Sequence, residues 1–327
     1  MRKKYNVAVI GCGNIGAMYD IKKKESELIL SHCKAFNKNK QFNLLCCVDK
    51  DENKLNKVKT KWNVKYTFNS IKSLVERKLS LDVISICTPV EEHYRNIKQI
   101  LKLSPKIIFC EKPLCKSIKD SKNILKICND HNVKLIVNHS RRWDRELQKF
   151  KSNLNTNKFG KLRSIDVRFN NGILNYGSHV FDTLLFIFND NYNKFRKINL
   201  LDNDTYSDLF KLFYDETPIY MTIEKTEKFS LLEIRFNFFD KQIMMLNGGR
   251  DWAYRNIVKD KNFRDSFIYG DIKFKKGKVI ETLPKAILEI QNILELNFDS
   301  KSTGKTAFQS QLLCDKISRT YLKINAK

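Results

Sequence analysis

Short apolar segments alternate with longer polar segments over the first 140 residues of the chain. The apolar segments end at polar or turn residues and predict strands over residues 6–10, 44–48, 82–87, 106–110 and 134–137. The polar segments between them, such as residues 93–103 and 117–129, have the spacing of amphipathic helices. Because each strand is apolar almost throughout, the pattern indicates a parallel sheet that helices cover on both faces.

The pattern changes after about residue 160. Apolar and polar side chains alternate strictly over residues 163–169, 219–226 and 232–238. In the last of these segments Leu232 and Ile234 point to one face, while Glu233 and Arg235 point to the other. Such alternation is typical of an antiparallel sheet with one face in water. Helices are predicted at residues 177–188 and from Thr306.

The length of the chain supports a division into two domains. A chain of 327 residues is longer than a single hydrophobic core usually supports, and the change of pattern marks the boundary. We expect an α/β domain with a doubly wound parallel sheet over residues 1–140. An α+β domain with a large, mainly antiparallel open sheet is expected over residues 141–327.

Composition narrows the possible classes of protein. Apolar residues make up 42% of the chain, which argues against general disorder. No apolar run approaches the roughly 20 residues of a membrane span, and the basic start leads into a short strand rather than a signal peptide. Nine cysteines without Cys-x-x-Cys or zinc spacing are typical of buried reduced thiols in a cytoplasmic protein. We therefore expect no metal site and no membrane partner.

The chain is strongly basic, with 61 Lys and Arg against 36 Asp and Glu and a net charge of +25. Such a surplus could serve nucleic acid, anionic lipid or a phosphorylated ligand. The positive charges are spread along the whole chain, and no nucleic-acid-binding module or stripe of interleaved basic and aromatic residues occurs. A general compositional bias is therefore favoured over a specific nucleic-acid partner.

A glycine motif follows the first predicted strand: residues 11–16 read Gly-Cys-Gly-Asn-Ile-Gly, and a helical segment is expected to start there. In this context the motif predicts a Rossmann domain that binds the pyrophosphate of a dinucleotide. Gly11 permits the tight turn, Gly13 lets the phosphates approach the backbone, and Gly16 lets the helix pack closely on the strand. Asn14 and Ile15 complete this predicted cofactor-binding turn.

An acidic residue is expected at the end of the second strand, where it would hold the ribose hydroxyls. Asp49 follows the apolar residues 44–48, 33 positions after Gly16. The usual spacing is about 20 residues, so we infer an insertion around residues 21–30. A carboxylate here would repel a 2′-phosphate, which favours NAD over NADP, although Lys50 next to it weakens this preference.

Four motifs, in order along the chain, resemble those of the Gfo/Idh/MocA oxidoreductases, a family named for glucose–fructose oxidoreductase and inositol dehydrogenase. They are the glycine motif, Thr88-Pro89 followed by His93, Glu111-Lys112-Pro113, and Gly177-x-His179-x-x-Asp182. The resemblance extends to about residue 190, and beyond it only the strand pattern agrees. It implies that Thr88, Pro89, His93, Glu111 and Lys112 belong to the cofactor site, with His93 supporting a loop rather than doing chemistry.

The resemblance also implies hydride transfer between a nicotinamide ring and a carbon of a sugar or polyol. Lys112 matches the catalytic lysine of the family and His179 matches its catalytic histidine, and both are expected to contact the substrate. Members of the family usually have Asp four residues before this histidine, where this chain has Asn175. Asn175 can form a hydrogen bond to the substrate, but it cannot serve as a carboxylate base.

These residue types suit the oxidation of a secondary alcohol, which needs a hydride acceptor, a proton acceptor and a cation that steadies the alkoxide. Lys112 follows a predicted parallel strand, and α/β sheets bind ligands at the carboxyl ends of such strands. Burial there would lower the proton affinity of Lys112. Histidine is the better proton shuttle because its ordinary pKa is near neutrality. Our hypothesis is that His179 exchanges the substrate proton while Lys112 orients and polarises the oxygen.

Two further pairs are candidates for the substrate side. Arg141 and Arg142 follow the fifth strand, and paired arginines suit a phosphate or carboxylate, so we infer an anionic substrate such as a nucleotide-activated sugar. A solvated basic turn remains the alternative. Ser31-His32 resembles a pair found in some sugar-processing members of the family, but an ordinary helix position is favoured for it.

The leading hypothesis is an NAD(P)-dependent oxidoreductase that acts on a sugar or nucleotide sugar, in carbohydrate or surface-polysaccharide biosynthesis. One alternative is the dehydrogenase of a free polyol such as inositol. Another is a non-catalytic dinucleotide-binding sensor, which Asn175 would permit. A homodimer or homotetramer is expected through the open face of the second sheet.

Overall fold

The computed structural model describes residues 4–24 and 27–325, and it divides into two units. The first comprises the chain up to Trp143 together with Ile280–Phe308. The second comprises Asp144–Val279 and the chain from Gln309. A segment near the end of the sequence therefore packs with the N-terminal residues, and each unit has its own hydrophobic core.

The first unit is built on a parallel sheet, which among the described residues has six strands in the order β3-β2-β1-β4-β5-β6. The strands are β1 (Tyr5–Ile10), β2 (Phe42–Val48), β3 (Tyr66–Phe68), β4 (Val83–Ile86), β5 (Ile107–Cys110) and β6 (Lys134–Val137). The strand order reverses at β1, so the doubly wound parallel sheet is confirmed. Sequence analysis missed β3 because three half-buried residues carry no periodic signal.

Helices cover both faces of this sheet. They are α1 (His32–Lys38), α2 (Glu52–Trp62), α3 (Ile71–Glu76), α4 (Val90–Ile100), α5 (Ile118–Asp130) and α8 (Thr282–Leu296). Val7 of β1 belongs to one core with Phe36 of α1 and Ile290 of α8. Ala8, which points to the opposite face, belongs to another core that includes Ile97 of α4. Burial on both faces explains why these strands are apolar throughout.

The helix expected after the glycine motif is interrupted. The chain forms turns and a short 3₁₀ helix at Met18–Asp20, and α1 begins only at His32. The hydrogen bonds nevertheless join the two pieces, because His32 N–H donates to Ile15 O at 3.0 Å and Cys33 N–H donates to Gly16 O at 2.9 Å. Residues 21–24 and 27–30, in the segment where the sequence predicts an insertion, lie outside any helix or strand.

Two buried charges hold this loop in place. Asp20 is fully buried, and its Oδ2 accepts hydrogen bonds from Leu30 N, Ser31 N and Ser31 Oγ at 2.7 to 2.8 Å. Lys34 is also fully buried, and its ammonium donates to the carbonyl oxygens of Lys24 at 2.9 Å and Glu27 at 3.1 Å. The start and the end of the loop are therefore fastened to each other and to α1.

The second unit contains a nine-stranded sheet, counted over the described residues, in the order β14-β13-β12-β11-β7-β10-β9-β8 with β15 beside β13. The strands are β7 (Leu162–Phe169), β8 (Phe195–Asn203), β9 (Ser207–Tyr214), β10 (Thr217–Glu224), β11 (Leu232–Phe238), β12 (Lys241–Leu246), β13 (Asp251–Lys259), β14 (Phe267–Tyr269) and β15 (Lys273–Lys276). β7 and β10 pair in parallel, and the other neighbours are antiparallel. The expected mainly antiparallel sheet is confirmed.

One face of the second sheet packs against helices α6 (Arg145–Asn155), α7 (Ser178–Ile187) and the later part of α9 (Gly304–Asn325). The other face carries a row of polar side chains. In this row Asn237 donates to Asp166 at 2.7 Å, Gln242 donates to Asn237 at 2.6 Å, and Arg255 donates to Gln242 at 2.9 Å. No helix in the described part of the chain is long and apolar enough to cross a membrane.

Replacing Asp20 with Ala should destabilise the first unit, because it leaves the N–H groups of Leu30 and the buried Ser31 without this acceptor. We expect the free energy of unfolding, measured by urea titration, to fall by about 2–4 kcal/mol. Asp271→Ala, at an exposed position, is the control and should leave the titration unchanged. Equal midpoints for the two variants would contradict the anchoring role of Asp20.

Candidate active site

The glycine turn after β1 has three glycines with different surroundings. Gly11 has a φ of +90°, and a Cβ there would lie 2.8 Å from backbone atoms of Cys87 and Thr88. A Cβ on Gly16 would lie 1.9 Å from Gly11 O. A Cβ on Gly13 would meet no atom within 4 Å. Gly11 and Gly16 are therefore needed for the fold of the turn, whereas Gly13 leaves open space above it.

Asp49 lies at the end of β2 with its carboxylate held by backbone donors. Its Oδ2 accepts a hydrogen bond from Cys12 N at 2.7 Å, and its Oδ1 accepts one from Asp51 N at 2.9 Å. The carboxylate is thereby tied to the glycine turn. This arrangement joins the two features that the sequence separates by an insertion.

A cavity of about 490 Å³ opens beside the glycine turn at the carboxyl ends of β1, β2 and β4. Gly11, Gly13, Asp49, Thr88 and Pro89 line it, whereas Asn14 and Ile15 are not among its lining residues. Four cationic side chains also line it: Lys50, Lys54, Lys72 and Arg95. A carboxylate for ribose hydroxyls, open space above Gly13 and surrounding positive charge fit the adenosine and pyrophosphate parts of a dinucleotide.

Thr88 and His93 organise the loop that follows β4. Asn96 of α4 donates to Thr88 Oγ1 at 2.9 Å. The ring of His93 is buried, with Nε2 2.9 Å from Thr88 O and Nδ1 3.1 Å from the carbonyl oxygens of Pro113 and Leu114. His93 therefore connects the loop after β4 to the loop after β5, and its burial keeps it away from a ligand.

The Glu111-Lys112-Pro113 segment follows β5, and its glutamate belongs to a buried hydrogen-bonded group. Asn138, just after β6, donates to Glu111 Oε1 at 2.6 Å. His32 Nε2 lies 2.9 Å from the same oxygen, and His32 Nδ1 lies 2.7 Å from Ser85 Oγ of β4. The three strand ends β4, β5 and β6 and the helix α1 thus meet at Glu111, the residue before Lys112.

The electrostatics of this group centre on Glu111 and Lys112. Burial lowers the pKa of Lys112, Arg141 lowers it further, and Glu111 opposes the shift. Burial acts to raise the pKa of Glu111, but the hydrogen bonds from His32 and Asn138 leave it below its usual value. Burial acts to lower the pKa of His32, yet Cys87 and Glu111 together raise it to about 10. The 2.9 Å contact with Glu111 therefore favours the protonated form of the His32 ring.

The residues after β6 differ in exposure. Arg141 is half-buried and acts on the pKa of Lys112. Arg142 is fully buried and donates to Lys301 O at 2.8 Å, so its side chain is part of the core of the first unit rather than a surface for substrate. His139 is buried too, and burial with the nearby Arg142 and Lys112 keeps its pKa well below the usual value.

Asn175 and His179 lie in the second unit, at the start of the helical segment that continues as α7. Residues Gly172–Gly177 form a turn of π-helix, a feature often found at functional sites. Asn175 is exposed, and its backbone oxygen accepts a hydrogen bond from Ser178 Oγ at 2.8 Å. His179 is half-buried, with its ring edge-on to Tyr176 at 6.3 Å.

The residues that sequence analysis missed are those that hold the predicted ones. Asn96 supports Thr88, and Ser85 and Asn138 complete the group around Glu111. The sequence favours an ordinary helix position for His32. The residues between Gly16 and His32 hide the fact that His32 continues the helical turn that starts at the glycine motif. Its spacing from Gly16 could be recognised only after the loop is excluded. No group of three His, Cys, Asp or Glu side chains in residues 4–24 and 27–325 could hold a metal ion.

Comparison with known proteins agrees with this geometry. Residues 5–139 match the model of an oxidoreductase family with an NAD-binding Rossmann fold, the Gfo/Idh/MocA family. An inositol 2-dehydrogenase of Rhizobium meliloti is 27% identical over 93 residues, which is 28% of this chain and 28% of that protein. The matches to curated relatives span 28% to 42% of the length of those proteins.

Solved structures show the same fold over nearly the whole chain. The WlbA dehydrogenase of Bordetella pertussis, in complex with NADH and UDP-GlcNAcA, has a TM-score of 0.73 at 16% identity and covers 97% of this chain and 96% of that one. The transcriptional regulator Gal80p of Kluyveromyces lactis has a TM-score of 0.76 at 16% identity and covers 97% and 92%. At these identities the likeness concerns the fold.

The first unit is thus a dinucleotide-binding domain of the Rossmann class. Residues 5–139 of this unit match the Gfo/Idh/MocA oxidoreductase family, the family that the four motifs resemble, and the expectation of an NAD-type cofactor is confirmed.

Gly13 and Gly16 should separate ligand binding from folding. Gly13→Ala meets open space in the protein, so the free energy of unfolding should change by less than about 1 kcal/mol. The added methyl occupies the space above the turn, and the affinity for NADH, measured by calorimetry, should fall by about tenfold or more. Gly16→Ala should instead destabilise the protein in the same urea titration. Unchanged NADH affinity in Gly13→Ala would contradict the placement of the pyrophosphate.

Proposed function

We propose that this protein is an NAD-dependent oxidoreductase that transfers a hydride between nicotinamide and a secondary carbinol of a sugar or nucleotide sugar. The observation that carries the proposal is the position of Lys112. It lies at the carboxyl end of β5, in the same sheet whose β1 and β2 ends border the cavity beside the glycine turn. Burial lowers the pKa of Lys112.

The nicotinamide ring, when bound, supplies the hydride acceptor. Lys112, as the ammonium, donates a hydrogen bond to the substrate oxygen and stabilises the alkoxide. His179 takes the hydroxyl proton as the carbon–oxygen double bond forms and the C–H bond is lost as hydride. Asn175 contributes a hydrogen bond to the substrate but accepts no proton.

The charge around the site supports an anionic substrate. Arg141 is half-buried near Lys112, and its guanidinium suits a phosphate or carboxylate. The UDP-GlcNAcA complex of the WlbA dehydrogenase supports a nucleotide sugar, and a role in surface-polysaccharide biosynthesis would follow. The inositol 2-dehydrogenase relative supports a free polyol as the second candidate.

A non-catalytic sensor is the candidate from another class. Asn175 in place of a carboxylate and the likeness to the regulator Gal80p support it. The presence of both Lys112 and His179 supports the enzyme instead. For either function we propose pairing of two or four copies through the polar face of the second sheet.

A substrate screen tests the proposed activity. We expect a change in absorbance of the reduced nicotinamide with a nucleotide sugar, at higher kcat/KM than with inositol or other free polyols. NAD+ should be preferred to NADP+ because Asp49 repels a 2′-phosphate, against the opposing pull of Lys50, Lys54 and Lys72. NADH binding without turnover of any substrate would support the sensor.

Lys112→Met should remove the cation that stabilises the alkoxide. We expect turnover to fall by about a hundredfold or more, while NADH affinity measured by calorimetry stays within about a factor of three. Lys116→Met, an exposed lysine in the same loop, is the matched control and should keep full activity. Full activity in Lys112→Met would remove Lys112 from the mechanism.

A further inference from the structure

His32 has no part in the proposed mechanism, yet it is fully buried in the first unit against Glu111, the residue before Lys112. One ring nitrogen lies 2.9 Å from Glu111 Oε1 and the other 2.7 Å from Ser85 Oγ, and the ring stacks on Phe109 at 4.9 Å. A buried histidine fixed through both nitrogens and one face costs free energy to desolvate and to immobilise. Such a position calls for an explanation beyond filling space.

The interrupted helix is what brings His32 to this point. Its N–H donates to Ile15 O, so it occupies the helical position that residue 19 would hold if the helix ran on from the glycine turn. The loop anchored by Asp20 carries the intervening residues away. The register of α1 therefore positions His32 relative to the glycine turn and Glu111 at once.

Glu111 Oε1 accepts a hydrogen bond from Asn138 and lies 2.9 Å from the His32 ring nitrogen. It precedes Lys112 in the chain, and its negative charge acts on the Lys112 ammonium. The Glu111 carboxylate is thus in contact with His32 and acts electrostatically on Lys112. The net charge that Lys112 experiences depends on both members of the pair.

We propose that His32 is a positioning residue for Lys112 that acts through Glu111. It holds the Glu111 carboxylate in one place and offsets part of the negative charge that this carboxylate presents to the Lys112 ammonium. The effect of His32 on catalysis rests on the proposed function, whereas its effect on the charge near Lys112 does not.

The titratable groups around the pair determine the sign of the effect. Cys87, after β4, faces His32, while Arg141 and His139 face Lys112 and Glu111 from beyond β6. A substitution at His32 or Glu111 leaves these three side chains in place. Removing the positive charge of His32 should raise the pKa of Lys112, and removing the negative charge of Glu111 should lower it further.

The test uses His32→Gln and Glu111→Gln, since Gln can keep a hydrogen bond at either position. Lys112 is titrated by competitive labelling with an amine reagent and mass spectrometry of its peptide, on the full chain without cofactor or substrate. We expect the titration midpoint to rise by about one pH unit in His32→Gln and to fall by about one unit in Glu111→Gln. His131→Gln, an exposed histidine, is the matched control and should leave the midpoint unchanged.

Opposite shifts support the proposal, because a merely structural role would move both variants in the same direction or in neither. Equal or absent shifts overturn it. Nitrogen NMR of histidine-labelled native protein provides a test without substitutions, should a variant fail to fold. His32 carrying protons on both ring nitrogens at pH 8 supports the ion pair, and a neutral ring at that pH overturns the proposal.

A pH profile links the charge to catalysis once a substrate is known. Because Lys112 acts as the ammonium, activity is lost as the pH rises through its pKa. The alkaline limb of kcat/KM should therefore move to higher pH in His32→Gln and to lower pH in Glu111→Gln. Labelling shifts without any detectable substrate would contradict the proposed function and leave the positioning role intact.

Discussion

The close approach of the helix to strand β1 at Gly16 is the contact on which the first unit depends. A Cβ at Gly16 would lie 1.9 Å from Gly11 O, so only glycine lets the turn and the helix meet here. The cavity beside this turn lies at the carboxyl ends of β1, β2 and β4, and the space above Gly13 is open. Gly16 O also accepts a hydrogen bond from Cys33 N, which fixes the register of α1 and places His32 next to Glu111.

Several charged side chains of this unit are buried against groups of opposite charge or polarity. Asp20 and Lys34 are fully buried, and each forms hydrogen bonds with backbone groups between residues 24 and 31. His32 and Glu111 compensate each other beneath the strand ends. An uncompensated buried charge costs about 3–5 kcal/mol. These pairings therefore fix the positions of the loop and of the residue before Lys112 when the unit folds. The large positive surplus of the chain lies mostly elsewhere, on exposed side chains.

The loop after the glycine motif interrupts the first helix of this Rossmann domain without breaking its register. The hydrogen-bond pattern of the helix is preserved across the loop, since residues 15 and 16 accept from residues 32 and 33. Loop closure grows in cost only slowly with length, and the two buried charges offset it. Helix α1 thus keeps its packing against β1, next to the glycine turn.

The sequence by itself determined the parallel sheet, the glycine turn and Asp49 at the end of β2, because apolar periodicity and glycine spacing are local properties. It also predicted that burial would lower the pKa of Lys112, since the end of a parallel strand is a buried place. Only the tertiary structure decided that Arg142 is part of the core, that His93 joins two loops, and that His32 meets Glu111. Those outcomes depend on contacts between residues 20 to about 160 positions apart, and no local pattern records which distant side chains will meet.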